Sequence, residues 1–241
     1  GIKFLDKQRT EQYAWQNTWA ISTRMLGVMF AVHSDSKGLI LPPKIAPNPI
    51  VIVPIIFDDS KDKVLKKASE IAKKLSKYEP LLDSREEYNA GFKFNEWELK
   101  GIPLRIEIGP KDLEKDSVVI VRRDTGKKEV VAIKDLEKKV TEVLEDIQKN
   151  LFGKAKKLLE GAIIEVKNLE ELKKAITEKK IALTPLCNKK ECEDSLKFET
   201  GGAKVLNILE EQPKDVKKLK CVMLRPACRL SWQSRQVLLK I

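Results

Sequence analysis

Ile50-Val51-Ile52-Val53-Pro54-Ile55-Ile56 is an unbroken apolar, largely β-branched run, and its reading decides the fold. Such a run suits a strand buried on both faces, as in a sheet covered by helices. Downstream, Val64, Leu65, Ala68, Ile71, Ala72 and Leu75 recur at spacings of three and four, with lysines between them. That spacing predicts an amphipathic helix ending near Tyr78, with Ser60 and Asp62 as capping residues. Leu104–Ile108 and Ser117–Arg122 read as strands, and Asp124-Thr125-Gly126-Lys127 as a hairpin turn into a strand over 129–133. A helix over 134–159 carries Leu136, Val140, Val143, Leu144 and Ile147 on one face. A short strand at 162–166, a helix at 169–178 and a strand at Ile181–Leu186 follow. This order predicts an α/β domain with a mixed, largely parallel sheet flanked by helices.

Working outward, Leu41-Pro42-Pro43-Lys44-Ile45-Ala46-Pro47 breaks regular structure and marks a boundary. The chain therefore reads as three parts, 1–47, 48–186 and 187–241. Residues 13–32 are rich in Thr, Trp, Ile, Val and Phe, which suits a strand leading into a buried segment. Within it, Met25 to Val32 fits a helix or a strand equally well by pattern. The part from Cys187 onward has short elements and reads as a small α+β lobe.

The 241 residues hold 47 Lys+Arg against 36 Asp+Glu, a formal charge of +11. With 42% apolar and 34% charged residues, there is material for a real core. Only 11 Gly and 11 Pro exclude collagen-like and low-complexity classes. The cleanest apolar stretch, from Pro49 to Phe57, is too short for a helical membrane span, which needs about 20 residues. No charged-apolar-small leader pattern opens the sequence. From Pro213 onward, eight basic residues face Asp215 alone. A basic excess with a basic tail fits a polyanion partner, and equally a solvated lysine-rich surface. All four cysteines, Cys187, Cys192, Cys221 and Cys228, fall in the last quarter. That clustering reads as a local metal site or as thiols in a reducing compartment, not as a secreted disulfide framework.

Two stretches are specific enough to suggest a family. The first is Trp15-Gln16-Asn17-Thr18-Trp19-Ala20-Ile21-Ser22-Thr23-Arg24-Met25-Leu26-Gly27, followed by Val32-His33-Ser34-Asp35-Ser36-Lys37-Gly38-Leu39 and the proline-rich boundary. The second runs from Gly91-Phe92-Lys93-Phe94-Asn95-Glu96-Trp97-Glu98 through Arg105-Ile106-Glu107-Ile108-Gly109-Pro110-Lys111-Asp112, with Val121-Arg122-Arg123-Asp124-Thr125 beyond it. The first resembles the third conserved motif of prolyl-tRNA synthetases and its exit. The second resembles the anticodon-binding domain of the archaeal/eukaryotic type. Cys187-x4-Cys192-Glu193-Asp194 is similar to that type's C-terminal zinc-binding lobe. The resemblance covers almost the whole chain and weakens after about residue 203.

The resemblance implies an enzyme that activates L-proline with ATP and Mg²⁺ and transfers it to tRNA-Pro, acting in the cytoplasm as a homodimer. It implies that residues 1–47 end a class II catalytic domain whose first two motifs lie upstream. The 241-residue piece alone is then expected to be inactive. Arg24 would lie against the adenine and γ-phosphate of ATP, where a permanently charged planar fork suits both, with Ser22 helping to position the nucleotide. Thr18, Trp19 and Ala20 would line the floor of the proline pocket, with Ala20 where the family usually has Gly. Plain core packing is the rival reading of Trp19. His33 is expected to be structural, because adenylate formation is in-line phosphoryl chemistry run by positioning and charge.

Glu98, Arg105, Lys111, Asp112 and Lys127 are the implied anticodon-reading set. Carboxylates can accept from the Watson–Crick edge of guanine and Arg or Lys can donate to its O6 and N7; proline anticodons present two adjacent guanines. The alternative for this set is a solvated sheet edge with ion pairs, and Trp97 is expected in the core rather than under a base. Zn²⁺ is the metal that Cys187, Cys192, Cys221 and Cys228 would suit, but the six-residue gap before Cys228 departs from the family's compact pair and weighs against it. The competing function is a non-catalytic tRNA- or RNA-binding module derived from such an enzyme.

Overall fold

The computed structural model describes residues 1–187, 189–209 and 220–223, together with the backbone of Arg235–Lys240. It divides into two compact units, residues 1–151 and 152–241.

In the first unit, β3 (Ile50–Pro54) is buried along its whole length, as its composition demands. It pairs in parallel with β4 (Leu81–Leu82) on one side and with β5 (Leu104–Ile108) on the other. Two antiparallel strands, β6 (Ser117–Arg122) and β7 (Lys128–Ala132), complete a mixed sheet in the order β4-β3-β5-β6-β7. Pro54, which has no N–H, stands at the end of β3, and Ile55 N carries the ladder on to Ile108 O at 2.8 Å.

Alternation sorts the side chains into two faces. Ile50, Ile52, Leu104, Ile106, Ile108, Val118, Ile120 and Val131 pack on one side. They meet Val64, Ala68 and Ile71 of α2 (Lys61–Lys74) and Leu136, Val140, Leu144, Ile147 and Leu151 of the helix α5 (Leu136–Ala162). Each fully buried Ile, Leu or Val contributes roughly 1.5–3 kcal/mol, so this face dominates the stability of the unit. Ser60 precedes α2 but makes no side-chain cap, contrary to expectation; its hydroxyl donates back to Phe57 O instead. Asp62 sits in the first turn, where a carboxylate favours the helix dipole.

The opposite face carries Val51, Arg105, Glu107 and Val121 and is covered in part by α3 (Ala90–Lys100). Asn89 caps that helix, its Oδ1 accepting from Phe92 N at 2.8 Å. Gly101 ends it in the left-handed region (φ +78), where Leu39 carbonyl carbon would lie 2.6 Å from any Cβ. After β5 comes the short α4 (Pro110–Glu114).

Ahead of this sheet, β1 (Lys3–Leu5) and β2 (Glu11–Tyr13) form a small antiparallel hairpin, and α1 (Arg24–His33) follows. The predicted buried segment is not found. None of α1 is buried, and Trp15, Trp19 and Ile21 are almost wholly exposed, because no element among the described residues packs on them.

The second unit has its own sheet, in the order β10-β11-β9-β8. β8 (Ile163–Glu165) and β9 (Ile181–Leu186) are parallel and joined by α6 (Leu169–Thr177), whose cap is Asn168. α7 (Lys190–Glu199) and β10 (Lys204–Ile208) follow, and β11 (Arg235–Lys240) lies antiparallel between β9 and β10. This division differs from the boundary at 186/187 read from the sequence. The ladder of β8 and β9 continues into β11, whereas the five-stranded sheet ends at β4 and β7. Among the described residues, no helix is long and apolar enough to cross a membrane.

Candidate nucleic-acid interface

The second face of the five-stranded sheet is where the charged residues gather. Arg105 and Glu107, two apart on β5, project on the same side as the pleat requires. Both are nearly fully buried, an unusual state for charged residues that demands partners. Arg105 Nε donates to Glu107 Oε1 at 2.9 Å and Nη1 donates to Glu98 Oε1 at 3.2 Å. Its guanidinium lies over the Phe94 ring, 4.3 Å from the centroid. Lys128 on β7 approaches Glu107 Oε2 at 3.6 Å, and Lys37 approaches Glu98 Oε2 at 3.6 Å. Glu98 is the more open carboxylate, with 23% of its side chain exposed.

The helix that presents Glu98 and Phe94 is itself pinned by charge. Asp83, just after β4, accepts two hydrogen bonds from Arg85 at 2.8 and 2.7 Å and one from Trp97 Nε1 at 2.8 Å. Buried Lys93 donates to Asp83 O at 3.3 Å and to Arg85 O. These partners, Arg85 foremost, hold the Asp83 carboxyl down at about 2 against the opposing effect of burial. Trp97 is bound into this structural cluster through its indole N–H, but it is half-buried and is not part of the apolar core where it was expected.

The five expected RNA-reading residues do not form one contact set. Glu98 and Arg105 meet directly. Lys127 is exposed in the β6–β7 turn, at the end of the sheet where β5 begins. It borders a groove of about 210 Å³ with Arg122, Glu129, Lys139, Glu142 and Asp146. Lys111 and Asp112 lie on α4, beyond the opposite end of β5. Lys111 is exposed, while Asp112 accepts from Gly109 N at 2.8 Å and so starts its own helix. Five strand residues at about 3.3 Å each separate the two groups, a span that suits an extended single strand better than one base.

Sequence reasoning missed Glu107, Lys128 and Lys37. Glu107 was findable: an acidic residue two places from Arg105 in an otherwise apolar strand must share its face.

Thr18, Trp19, Ala20, Ser22 and Arg24 are all exposed, Arg24 opening α1. Among the described residues no wall encloses them, so the structure assembles no pocket around this group.

In the second unit, Cys187 follows β9, Cys192 sits in the first turn of α7, and Cys221 is held near by Val222 N donating to Pro185 O at 2.9 Å. The three sulfur atoms are buried and lie within 4.8 Å of one another. Thiolates on a tetrahedral zinc at about 2.3 Å sit a little under 4 Å apart, so these three donors fit a metal with small adjustment. Cys228 lies outside the described residues.

Comparison with known proteins agrees with this geometry. A family model described as an anticodon binding domain matches residues 49–143, and one described as the C-terminal part of prolyl-tRNA synthetase matches 169–231. The proline–tRNA ligase of Natranaerobius thermophilus is 42% identical over 201 residues, which is 83% of this chain and 42% of the relative. The cytoplasmic proline–tRNA ligase of Arabidopsis thaliana is 42% identical over 221 residues, 88% of this chain and 41% of the relative. A proline–tRNA ligase 2 of Bacillus cereus is 45% identical over 201 residues, again 83% of this chain and 42% of the relative. The chain thus spans well under half the length of these relatives, and the anticodon-binding model covers the strands that carry Arg105, Glu107 and Lys128. It belongs to the prolyl-tRNA synthetase family, within that family's anticodon-binding and C-terminal region.

Proposed function

We propose that this chain reads the anticodon of tRNA-Pro for a proline–tRNA ligase. The observation that carries the reading is the Glu98–Arg105–Glu107 cluster on a sheet face that the anticodon-binding model covers. Paired carboxylates and guanidinium offer both acceptors and donors at fixed positions, as recognition of splayed-out guanines requires. Exposed Lys111 and Lys127, at opposite ends of β5, extend the surface along a strand of RNA.

The whole protein would join proline to ATP with release of pyrophosphate, then pass the prolyl group from the adenylate to the 3′ end of tRNA-Pro. Mg²⁺ would neutralise charge on the phosphates. Arg24 and Ser22 would hold the nucleotide, and Thr18, Trp19 and Ala20 the proline. The exposure of Trp15, Trp19 and Ile21 supports a segment covered by further protein. The whole protein would act in the cytoplasm as a homodimer. In the second unit, Cys187, Cys192 and Cys221 would hold a structural zinc ion, which would fasten the end of β9 to the start of α7.

Fluorescence anisotropy with an anticodon stem–loop RNA tests the reading. Binding should weaken when the two anticodon guanines become adenines, and should fall with added salt. Equal affinity for both RNAs at every salt concentration would defeat it.

A further inference from the structure

Segment 34–41 is locked to the end of α3 by more bonds than a surface linker needs. Leu39 N donates to Leu99 O and Leu41 N to Gly101 O, each at 3.0 Å. Gly38 has φ +129, and a Cβ there would stand 2.6 Å from the Leu99 backbone, so only glycine fits. Asp35 closes a tight turn with Gly38 through reciprocal backbone bonds at 3.1 and 3.2 Å, and its Oδ1 accepts from Lys37 N at 2.8 Å. Both Asp35 oxygens also receive the Arg123 guanidinium, at 2.6 and 2.8 Å. Arg123, buried just past β6, donates its Nε to Glu98 O at 2.9 Å. One guanidinium therefore fixes the backbone of Glu98 and the turn that bears Lys37.

We propose that Lys37 is a further anticodon-reading residue, set beside Glu98 by Asp35 and Arg123 as positioning residues. This rests on the anticodon reading above and adds to it a cation from the segment that precedes the sheet. Lys37 Nζ lies 3.6 Å from Glu98 Oε2, the oxygen that Arg105 does not use, and 64% of the Lys37 side chain is exposed. At that separation the ammonium keeps donors open to a third group. A guanine edge offers N1–H and N2–H to a carboxylate and O6 to a cation next to it. Adenine reverses two of those positions. A carboxylate and an ammonium side by side therefore select guanine, which neither group does as sharply alone. Arg123 is buried while Asp35 keeps 42% of its side chain exposed, and the two-pronged guanidinium–carboxylate pair they form holds one arrangement, here that of Lys37 beside Glu98.

The test uses the full chain, stem–loop RNAs with guanine or adenine in the anticodon, and anisotropy at several salt concentrations. Wild type must first prefer guanine; if it does not, the anticodon reading fails, and this proposal with it. Given that preference, Lys37→Met should weaken guanine RNA about tenfold and leave adenine RNA unchanged, and Lys37→Arg should recover most of the loss. Asp35→Asn should give the same guanine-selective loss, with nothing added in the double variant with Lys37→Met. An equal loss on both RNAs, with the salt slope reduced by about one, would make Lys37 a phosphate contact and overturn the proposal while the anticodon reading stood. Unchanged guanine preference in Lys37→Met would overturn it as well. Lys37 is exposed, so its variants keep the fold and decide the matter without the Asp35 variant.

Discussion

Trp97 donates its indole N–H to Asp83 Oδ2 at 2.8 Å, on a carboxylate that Arg85 already holds through both oxygens. This bond fastens the helix that presents Glu98 to the strand pair β3–β4.

The Asp83 carboxyl is depressed to about 2, so its charge stabilises the folded state above its ordinary value near 4. That contribution, on the order of 2 kcal/mol for a side chain without exposed surface, should disappear as the pH falls from about 4 to about 2. Urea unfolding followed by tryptophan fluorescence between pH 5 and 2 should show the loss. Asp83→Asn should remove most of that pH dependence and be less stable at pH 7.

Gly101 and Gly126 both have positive φ, but only Gly101 is crowded, with Leu39 backbone atoms 2.6 Å from a Cβ position. Gly126→Ala should cost about 1 kcal/mol, the strain of the left-handed conformation alone. Gly101→Ala should cost clearly more, because segment 39–41 has to move. Thermal melts of the two variants side by side make the comparison, and equal costs would contradict the crowding.

Arg105→Ala and Lys111→Ala should each weaken anticodon RNA by about 1–3 kcal/mol. Their stabilities should separate them. Losing Arg105 strands Glu107 in the sheet with Lys128 alone and should cost about 3–5 kcal/mol of folding stability. Exposed Lys111 should change stability by about 0.5 kcal/mol or less. Denaturant midpoints measured with the binding titrations will show whether the effects divide in this way.

Protein purified without chelator should contain about one equivalent of zinc, and Cys192→Ser should lower both the metal content and the melting temperature. Mass spectrometry under native conditions, before and after chelator, reads the metal directly. Wild-type protein without zinc and indifferent to chelator would show that the three sulfurs only pack together.

Much of the first sheet was legible because its physics is local. A wholly apolar run marked β3, a Gly-bearing turn marked the β6–β7 hairpin, and spacing of three and four marked α2 and α5. Helix α3 was hidden, since it buries a lysine and shows no apolar stripe; its helicity depends on the Asn89 cap and Asp83 cluster. Two-residue β4 is too short to carry a pattern. Of the site, Glu98 and Arg105 were readable as residues and the Arg105–Glu107 pair follows from strand alternation, but the approach of Lys37 to Glu98 and of Lys128 to Glu107 depends on contacts distant in sequence. Conversely, the apolar residues of 13–32 carry a core signature, and none of the described elements answers it.

The sheet of the second unit is laid down out of order. β11 comes last in sequence yet lies between β9 and β10, contributing the ladders on both sides. During synthesis β8, α6 and β9 can assemble early, but β10 has no neighbour until β11 emerges, so a nascent chain holds an open edge on β9 throughout that interval. Any partner strand available then competes with the native one. Shortening the chain ahead of Arg235 would leave that competition permanent, with self-association as its visible outcome.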